Sequence, residues 1–441
     1  MLKINSRVFS SREVIKKVEC LYMLDIAFIR ENPDQVKKSA KDKGLNPQVV
    51  DRVLELDKQR RDLLVKVEKL RAERNKVTQN NIKKGKEIKK KLQDLEPQLK
   101  KVEASFKEMM LQVPNVADKD VPVGNDEKDN KLVRKWGELP KFSFKAKSHI
   151  ELGESLDLLD LKRGVKVSGF RGYFLKNEAV LMQFGLMQYA LEKLIQEGFE
   201  PIITPTIVKK EALVNTGHFP WGELDIYKTF DDEKEEDVRY LIGTAEVPLV
   251  SYHSGETFNE KDLPILYAGF SPGYRREIGS YGKDAKGIYR VHEIMKIEQV
   301  VICKNDMKES EKWLEKLAGY SEEILKDLKL PYRVMMMCTG DMGEPQIKKY
   351  DIETWMPSRK SYGETMSDSI MGDFQSRRAD IKYKTKNNEV KYVHMLNNTA
   401  IASPRILISI LENYQQKDGS IKVPKILQKY VGKKIIKNEK A

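Results

Sequence analysis

Between Leu266 and Ile302 the chain reads LYAGFSPGYRREIGSYGKDAKGIYRVHEIMKIEQVVI, two extended runs joined by a long glycine-rich loop. In the second run Arg290, His292, Lys296 and Glu298 occupy even positions, with Val291, Met295 and Ile297 among the odd ones. The period of two therefore gives one polar face and one largely apolar face. The first run ends in Tyr274-Arg275-Arg276-Glu277. Paired strands would gather these guanidiniums and carboxylates on one patch, as binding an anion and an amine together requires. An antiparallel sheet with one wetted face has the same pattern, and these residues alone leave both readings open.

The usual nucleotide fingerprints are missing. GSYGKD at 279–284 contains a Gly-Lys pair, but the earlier glycine is misplaced and Asp284 stands where a Ser or Thr should hold magnesium, which excludes a P-loop. Any ATP must be held by arginines on strands, with carboxylates carrying Mg²⁺; Arg275, Glu277, Glu364 and Arg405 are of the right type.

Several elements must position these groups. Val180 to Glu197 is an amphipathic helix stopped by Gly198, and FEPIITPTIV after it is a proline-interrupted strand suited to an edge or interface. A short strand YLIGTAEVPL, the pair at 266–302 and a helix from about Asn305 to Lys329 follow. Then come a strand YDIETWMP, a hairpin turning at Asn387-Asn388, and a helix from about Ser403 to Gln415 with Arg405 in its first turn. Hairpin-linked strands with helices before and after predict an α+β domain on an antiparallel sheet.

The N-terminal part is different. Asn32-Pro33 and Asn46-Pro47 each read as an N-cap with proline at the first helical position, and Gly44 ends the shorter helix. From Pro47 to about Gln79, Val53, Leu56, Arg60, Leu63, Val67, Leu70, Arg74 and Val77 keep a heptad rhythm. After the polar turn TQNNIKKGK it resumes at Ile88, Leu92, Leu95, Leu99, Val102, Phe106 and Met109. Two such helices fold into an antiparallel coiled-coil hairpin of about 40 Å, with a kink expected at Pro97. Residues 51–110 hold 18 Lys/Arg against 11 Asp/Glu, an excess of 7 in a chain whose net charge is +13. Such an arm is either a dimerising coiled coil with a solvated face or a rod laid along nucleic-acid phosphates.

The 441 residues suffice for two or three domains. The boundaries expected are an N-terminal extension 1–22, a helical arm domain 23–120, a linker 121–140, a catalytic domain 141–430 and a basic tail 431–441. Residues 1–22 carry Arg7, Arg12 and serines as a transit peptide does, but Glu13 and Glu19 argue against one, and Met23 is a candidate start. Three scattered cysteines, Cys20, Cys303 and Cys338, make neither a disulfide framework nor an evident zinc site, so no zinc is expected. Without an apolar run of membrane-spanning length or a secretory signal, the expected location is the cytoplasm, with no membrane partner.

The motifs FEPIITPTIV, GTAE, YRRE with RVHEIMKIEQ, GDMGEPQIKKYDIE, GETMSDSIMGDFQSRR and HMLNNTAIASPRILISILENYQQKDGSIKVP stand in order behind the basic hairpin. Together, over about Met23 to Lys429, they closely resemble bacterial-type seryl-tRNA synthetase, a class II aminoacyl-tRNA synthetase. The resemblance implies a homodimer that uses ATP and Mg²⁺ to form seryl-adenylate and charges tRNA(Ser), and also tRNA(Sec). Its ATP site would comprise Arg275, Arg276, Glu277, Glu364, Thr365, Met366, Ser367 and Arg405. Within it Arg275 would hold the α-phosphate and the serine carboxylate, Glu277 the adenine end and Arg405 the γ-phosphate, with Glu364 and Ser367 bringing in Mg²⁺. Serine would meet Thr244, Ala245, Glu246, Arg275, Glu298, Asn397 and Thr399, and Arg275, Glu364 and Arg405 would be catalytic.

Three positions depart from the family pattern. Ile294 replaces the phenylalanine that usually stacks on adenine, Gly243 replaces a common proline, and TMSDSIMGDFQ, with Ile370 for asparagine, replaces a stretch that typically reads SSCSNCTDFQ. A synthetase fold kept as a catalytically inactive RNA-binding protein is one alternative, and a ligase loading amino acids onto a carrier protein is another.

Overall fold

The computed structural model describes residues 24–77, 81–229, 238–278 and 286–438. The expectations for residues 1–22, Met23 and the GSYGKD loop lie outside them. Two compact units divide at Val116/Ala117.

The N-terminal unit contains α1 (Ile26–Glu31), α2 (Pro33–Asp42), α3 (Gln48–Arg74) and α4 (Ile82–Met110), and α3 and α4 form the hairpin. The Asn46 side chain accepts from Gln48 N, as an N-cap should, whereas Asn32 precedes α2 without capping it and donates back to Phe28 O. Gly44 has φ +74°, the left-handed conformation that suits glycine beyond a helix end. The helix predicted to run to Gln79 ends at Arg74, and α4 is one continuous helix through Pro97. Two apolar clusters hold the unit together. Ile29, Val36, Val53, Leu56, Phe106 and Met110 make the base, and Val67, Ile88, Leu92 and Leu99 make the seam further along the arm. Between them Asp57, with its side chain 1% exposed, accepts from Arg30 at 2.8 Å and Arg61 at 3.0 Å, and the Arg60 guanidinium lies 4.9 Å from the Phe106 ring centre.

The second unit is built on eight strands: β1 (Lys131–Trp136), β2 (Glu200–Ile203), β3 (Ile265–Tyr274), β4 (Glu293–Cys303), β5 (Tyr332–Met336), β6 (Lys348–Met356), β7 (Ser361–Gly372) and β8 (His394–Ser403). They lie in the order β1-β5-β6-β7-β8-β4-β3-β2. Every neighbouring pair is antiparallel except β2 with β3 at the edge, which is parallel. Packed on the sheet or lying beside it are the helices α5 (Glu178–Gln196), α6 (Lys210–Thr216), α7 (Glu246–Tyr252), α8 (Met307–Asp327), α9 (Phe374–Ala379) and α10 (Arg405–Asn413). The main core joins Leu186 and Leu194 of α5, Leu314 and Leu317 of α8 and Leu407 and Ile410 of α10 to Val301, Ile352 and Ile401 of the sheet. Ile370, one of the departures from the family pattern, is buried in this core.

Three expectations are corrected. In YLIGTAEVPL only Tyr240 and Leu241 are extended; Glu246–Tyr252 is helical, with Val247, Leu249 and Val250 buried and Pro248 in the first turn, where a missing N–H costs nothing. The stretch 121–140 is more than a linker, because β1 pairs with β5 across it. Its charged, exposed sequence is what an edge strand uses to discourage further pairing. The described part of the stretch expected as a basic tail, 431–438, is not free: Ile436 pairs with Ile421 and is 2% exposed.

Candidate active site

The polar faces of β3, β4, β7 and β8 surround two adjoining cavities. Gly273, Glu277, Tyr289, Ile294, Glu364 and Arg405 line the first, with Thr365 and Met366. The second is lined by His218, Trp221, Thr244, Glu246, Glu298 and Asn397. Arg275, Lys296 and Ser367 border both. Thr399 lines the first and stands opposite Glu298 in the β8–β4 register. Chain segments more than a hundred residues apart in sequence thus meet on one floor.

At the first cavity, Arg405 begins α10, donates from Nη1 to Oε2 of Glu364 at 3.1 Å and from Nε to Tyr289 O at 3.0 Å, and lies 4.8 Å from the Tyr289 ring centre. Burial pushes the Glu364 carboxyl up, but the charges of Arg405, Lys349 and Arg275 outweigh it and hold it down at about 2. It is therefore an anion at neutral pH. Glu277, at φ +55°, accepts from Arg290 at 3.1 Å. The Arg275 backbone N–H donates to His292 O at 3.0 Å, which continues the β3–β4 pairing beyond the strand end and fixes where its side chain starts.

At the second cavity, Lys296 Nζ lies 2.7 Å from Glu298 Oε2, which also accepts from Thr399 Oγ1 at 3.2 Å. Glu246 Oε1 accepts from Gln375 at 2.6 Å and from Asn397 at 2.9 Å. Burial first, and then the nearby Glu298 carboxylate, push the Glu246 carboxyl up to about 7, against the pull of the Gln375 bond, Lys296 and Arg275. Two residues expected at the site stand apart from these linings. Arg276 is exposed and donates to Leu224 O at 3.1 Å, and Ala245 is fully buried in an apolar cluster. Thr365 commits its hydroxyl to Ile352 O at 3.1 Å.

Sequence reasoning placed Lys296 on the polar face without giving it a role; its period-two spacing from Glu298 was the available signal. His218, Trp221, Tyr289 and Gln375 carried no local signal, because only the fold brings them here.

A largely antiparallel sheet that presents arginines and carboxylates from its strands, with a mid-strand Glu364 ion-paired to the first residue of a following helix, defines a class II aminoacyl-tRNA synthetase core. The family described as "tRNA synthetase class II core domain (G, H, P, S and T)" matches residues 227–414, and "Seryl-tRNA synthetase N-terminal domain" matches residues 23–117. The serine–tRNA ligase of Deinococcus radiodurans is 44% identical over 421 residues, 93% of this chain and 98% of that one. The serine–tRNA ligase of Dictyoglomus turgidum is 43% identical over 424 residues, covering 93% and 98%. The structure of seryl-tRNA synthetase from Pyrococcus horikoshii complexed with ATP superposes with a TM-score of 0.87 at 38% identity, covering 94% of this chain and 99% of that one. The chain belongs to the seryl-tRNA synthetase family.

Proposed function

We infer that this chain is a serine–tRNA ligase, which activates L-serine with ATP and transfers the seryl group to tRNA(Ser), and also to tRNA(Sec). The observation that carries this is the pair of adjoining cavities with Arg275 on their shared border. One cavity offers cations and an aromatic ring to a nucleotide, and the other offers carboxylates and amides to an amino acid. Adenylation requires such a meeting point, because the serine carboxylate must reach the α-phosphorus.

Arg275 holds the α-phosphate and the serine carboxylate together. A carboxylate oxygen attacks phosphorus, the bond to the bridging oxygen of the β-phosphate breaks, and pyrophosphate leaves. Charge grows on phosphate oxygens, so fixed guanidiniums suffice and no protein nucleophile is needed. Arg405 takes the γ-phosphate, and Glu277 takes the adenine end beside Ile294. Glu246, Glu298, Asn397 and Thr399 receive the ammonium and hydroxyl of serine, with Thr244 beside them. Glu364 and Ser367 fit an Mg²⁺ ion, since Glu364 is ionised and opens into the nucleotide cavity. The ion supplies charge neutralisation at the phosphates. In the second step a hydroxyl of the terminal adenosine of tRNA attacks the seryl carbonyl and AMP leaves. The basic arm lies along the tRNA.

The working form is a homodimer in the cytoplasm. Ile203, 81% exposed on edge strand β2, and Phe184, 56% exposed on α5, are apolar groups for a second copy to cover. Among the described residues no helix is long and apolar enough to cross a membrane.

Serine-dependent ATP–pyrophosphate exchange, followed by charging of purified tRNA(Ser), tests the proposal. Exchange without charging would favour a carrier-protein ligase, and absence of both would favour an inactive RNA-binding protein.

A further inference from the structure

One wall of the amino-acid cavity is held by a residue that the two chemical steps do not use. Gln375, in the first turn of α9, is 1% exposed. Its Nε2 donates to Oε1 of Glu246 at 2.6 Å and to the backbone carbonyl of Thr216 at 3.1 Å. A carbonyl can only accept, so the nitrogen of the amide must face these two oxygens, and both of its hydrogens are committed. Oε1 also takes the Asn397 bond, at 2.9 Å. The two donors therefore converge on one oxygen of Glu246 and leave Oε2 for an incoming group. Thr216 is the last residue of α6, and Gly217, His218 and Trp221 beyond it line the same cavity. Arg378, also on α9, donates to Val214 O at 2.5 Å and Phe219 O at 3.0 Å, and its guanidinium lies 5.6 Å from the Trp221 ring centre. Thus α9 grips segment 214–221 at both ends and Glu246 beside it.

We infer that Gln375 is a positioning residue for amino-acid recognition: by tying the Thr216 carbonyl to Oε1 of Glu246 it aligns that carboxyl with segment 214–221 and presents Oε2 to the substrate's ammonium or hydroxyl, an assignment that rests on this cavity being the serine pocket. The electrostatics agree. Burial, and after it Glu298, push the Glu246 carboxyl up to about 7 against the pull of the Gln375 bond, Lys296 and Arg275. His218 faces the same cavity, and burial together with Arg275, Lys296 and Arg378 lowers it to about 3, so it is neutral. Without the Gln375 donor, Glu246 keeps its proton to higher pH.

The test is pyrophosphate exchange from pH 6 to 9.5 with the full chain, Gln375→Leu and the nearly isosteric Gln375→Glu. Losing one hydrogen bond to a charged group should raise the serine KM about ten-fold or more, with the ATP KM within about two-fold of the parent. The rise of kcat/KM for serine with pH should move to higher pH in Gln375→Leu. It should move further in Gln375→Glu, where a second carboxyl competes for the same proton. A packing role alone would lower the melting temperature and leave the pH profile in place. If Gln375→Leu does not fold, Gln375→Glu carries the test. A parental serine KM and pH profile in Gln375→Glu would overturn the role of Gln375. Glu246→Gln, run alongside, separates the two layers: parental serine activation there would mean that the pocket itself is misplaced.

Discussion

Arg405 Nη1 donates to Glu364 Oε2 at 3.1 Å, so the guanidinium that begins α10 is ion-paired to a carboxylate in the first half of β7. Each partner keeps the other charged in a cavity wall where burial favours neutrality: Glu364 is held down near 2, and Arg405 is raised above its ordinary value despite burial. The sheet thus supplies a fixed set of charges on the cavity wall.

Arg275 is the first place to test that arrangement. Its backbone is pinned to His292 O at 3.0 Å and its side chain is exposed at the border of both cavities, so truncation empties that border and removes no core volume. Arg275→Ala should lower pyrophosphate exchange by roughly a thousand-fold, leaving the melting temperature unchanged. Near-normal exchange in this variant would refute the role given to Arg275.

Ile294 lines the nucleotide cavity with Gly273 beside it, where an added Cβ would lie 3.3 Å from Ile294 Cγ1. Ile294→Phe should be tolerated and should tighten ATP by about 1 kcal/mol through ring stacking, roughly a five-fold lower KM. A higher KM for ATP would show that the purine does not lie against this side chain.

Glu246 makes a prediction about stability. Its carboxyl sits at about 7 when folded because burial opposes ionisation. A raised folded value contributes stability that is complete below the unfolded value and is lost as pH rises through about 7. Glu246→Gln can still accept the Gln375 and Asn397 bonds and carries no charge to bury. Its melting temperature relative to the parent should therefore rise between pH 5 and pH 8, by the equivalent of about 3 kcal/mol at most. A difference independent of pH would show that Glu246 is ionised throughout.

The amino-acid pocket should discriminate by leaving polar groups unpaired. Glu298 is 2% exposed, with Lys296 at 2.7 Å and Thr399 at 3.2 Å beside it, so polar capacity that a ligand without a hydroxyl leaves unused in this buried cluster is poorly made up by water. Alanine should be rejected by roughly 10⁴, and Glu298→Ala should erase most of that ratio. Discrimination by Glu298→Ala as good as the parent's would place the hydroxyl contact elsewhere.

How far this architecture was legible depends on how local its causes are. The alternation that sets Lys296 and Glu298 on one face lies within three residues, and the heptads of α3 and α4 repeat over some thirty, so both could be read directly. Glu246, Gln375 and Asn397 meet through two helices and a strand remote from one another in sequence, and no spacing rule connects them. The extended reading of YLIGTAEVPL failed because a buried helix turn and a buried strand share an apolar composition over so short a span. β1 falls inside the expected linker because the run VPNVADKDVPVGNDEKDNK that leads into it, rich in proline, aspartate and asparagine, reads as loop, and Lys131, Arg134 and Lys135 leave the edge strand no clean apolar alternation.

The arm supports the last prediction, and its packing decides where it can be cut. The base cluster contains Val53, Leu56, Phe106 and Met110, so removing all of 51–110 would dismantle the N-terminal unit along with the arm. The seam of Val67, Ile88, Leu92 and Leu99 is a separate cluster, beyond the Asp57 network and crossed by the exposed Arg71–Glu96 pair at 2.8 Å. Deleting 63–100 and joining the ends with a short glycine linker removes that seam and keeps the base. Serine activation needs only the sheet domain, so pyrophosphate exchange should stay within several-fold of normal while charging of tRNA(Ser) is lost. In the full chain, tRNA binding should weaken with salt at a slope of about −0.7 to −0.9 per phosphate neutralised. Reversing charge at Lys83, Lys84, Lys89 and Lys90, all exposed, should flatten that slope if they touch phosphate and leave it unchanged if they only solubilise the arm. Full charging by the deletion variant would make the arm a structural coiled coil, with no recognition role for its basic excess.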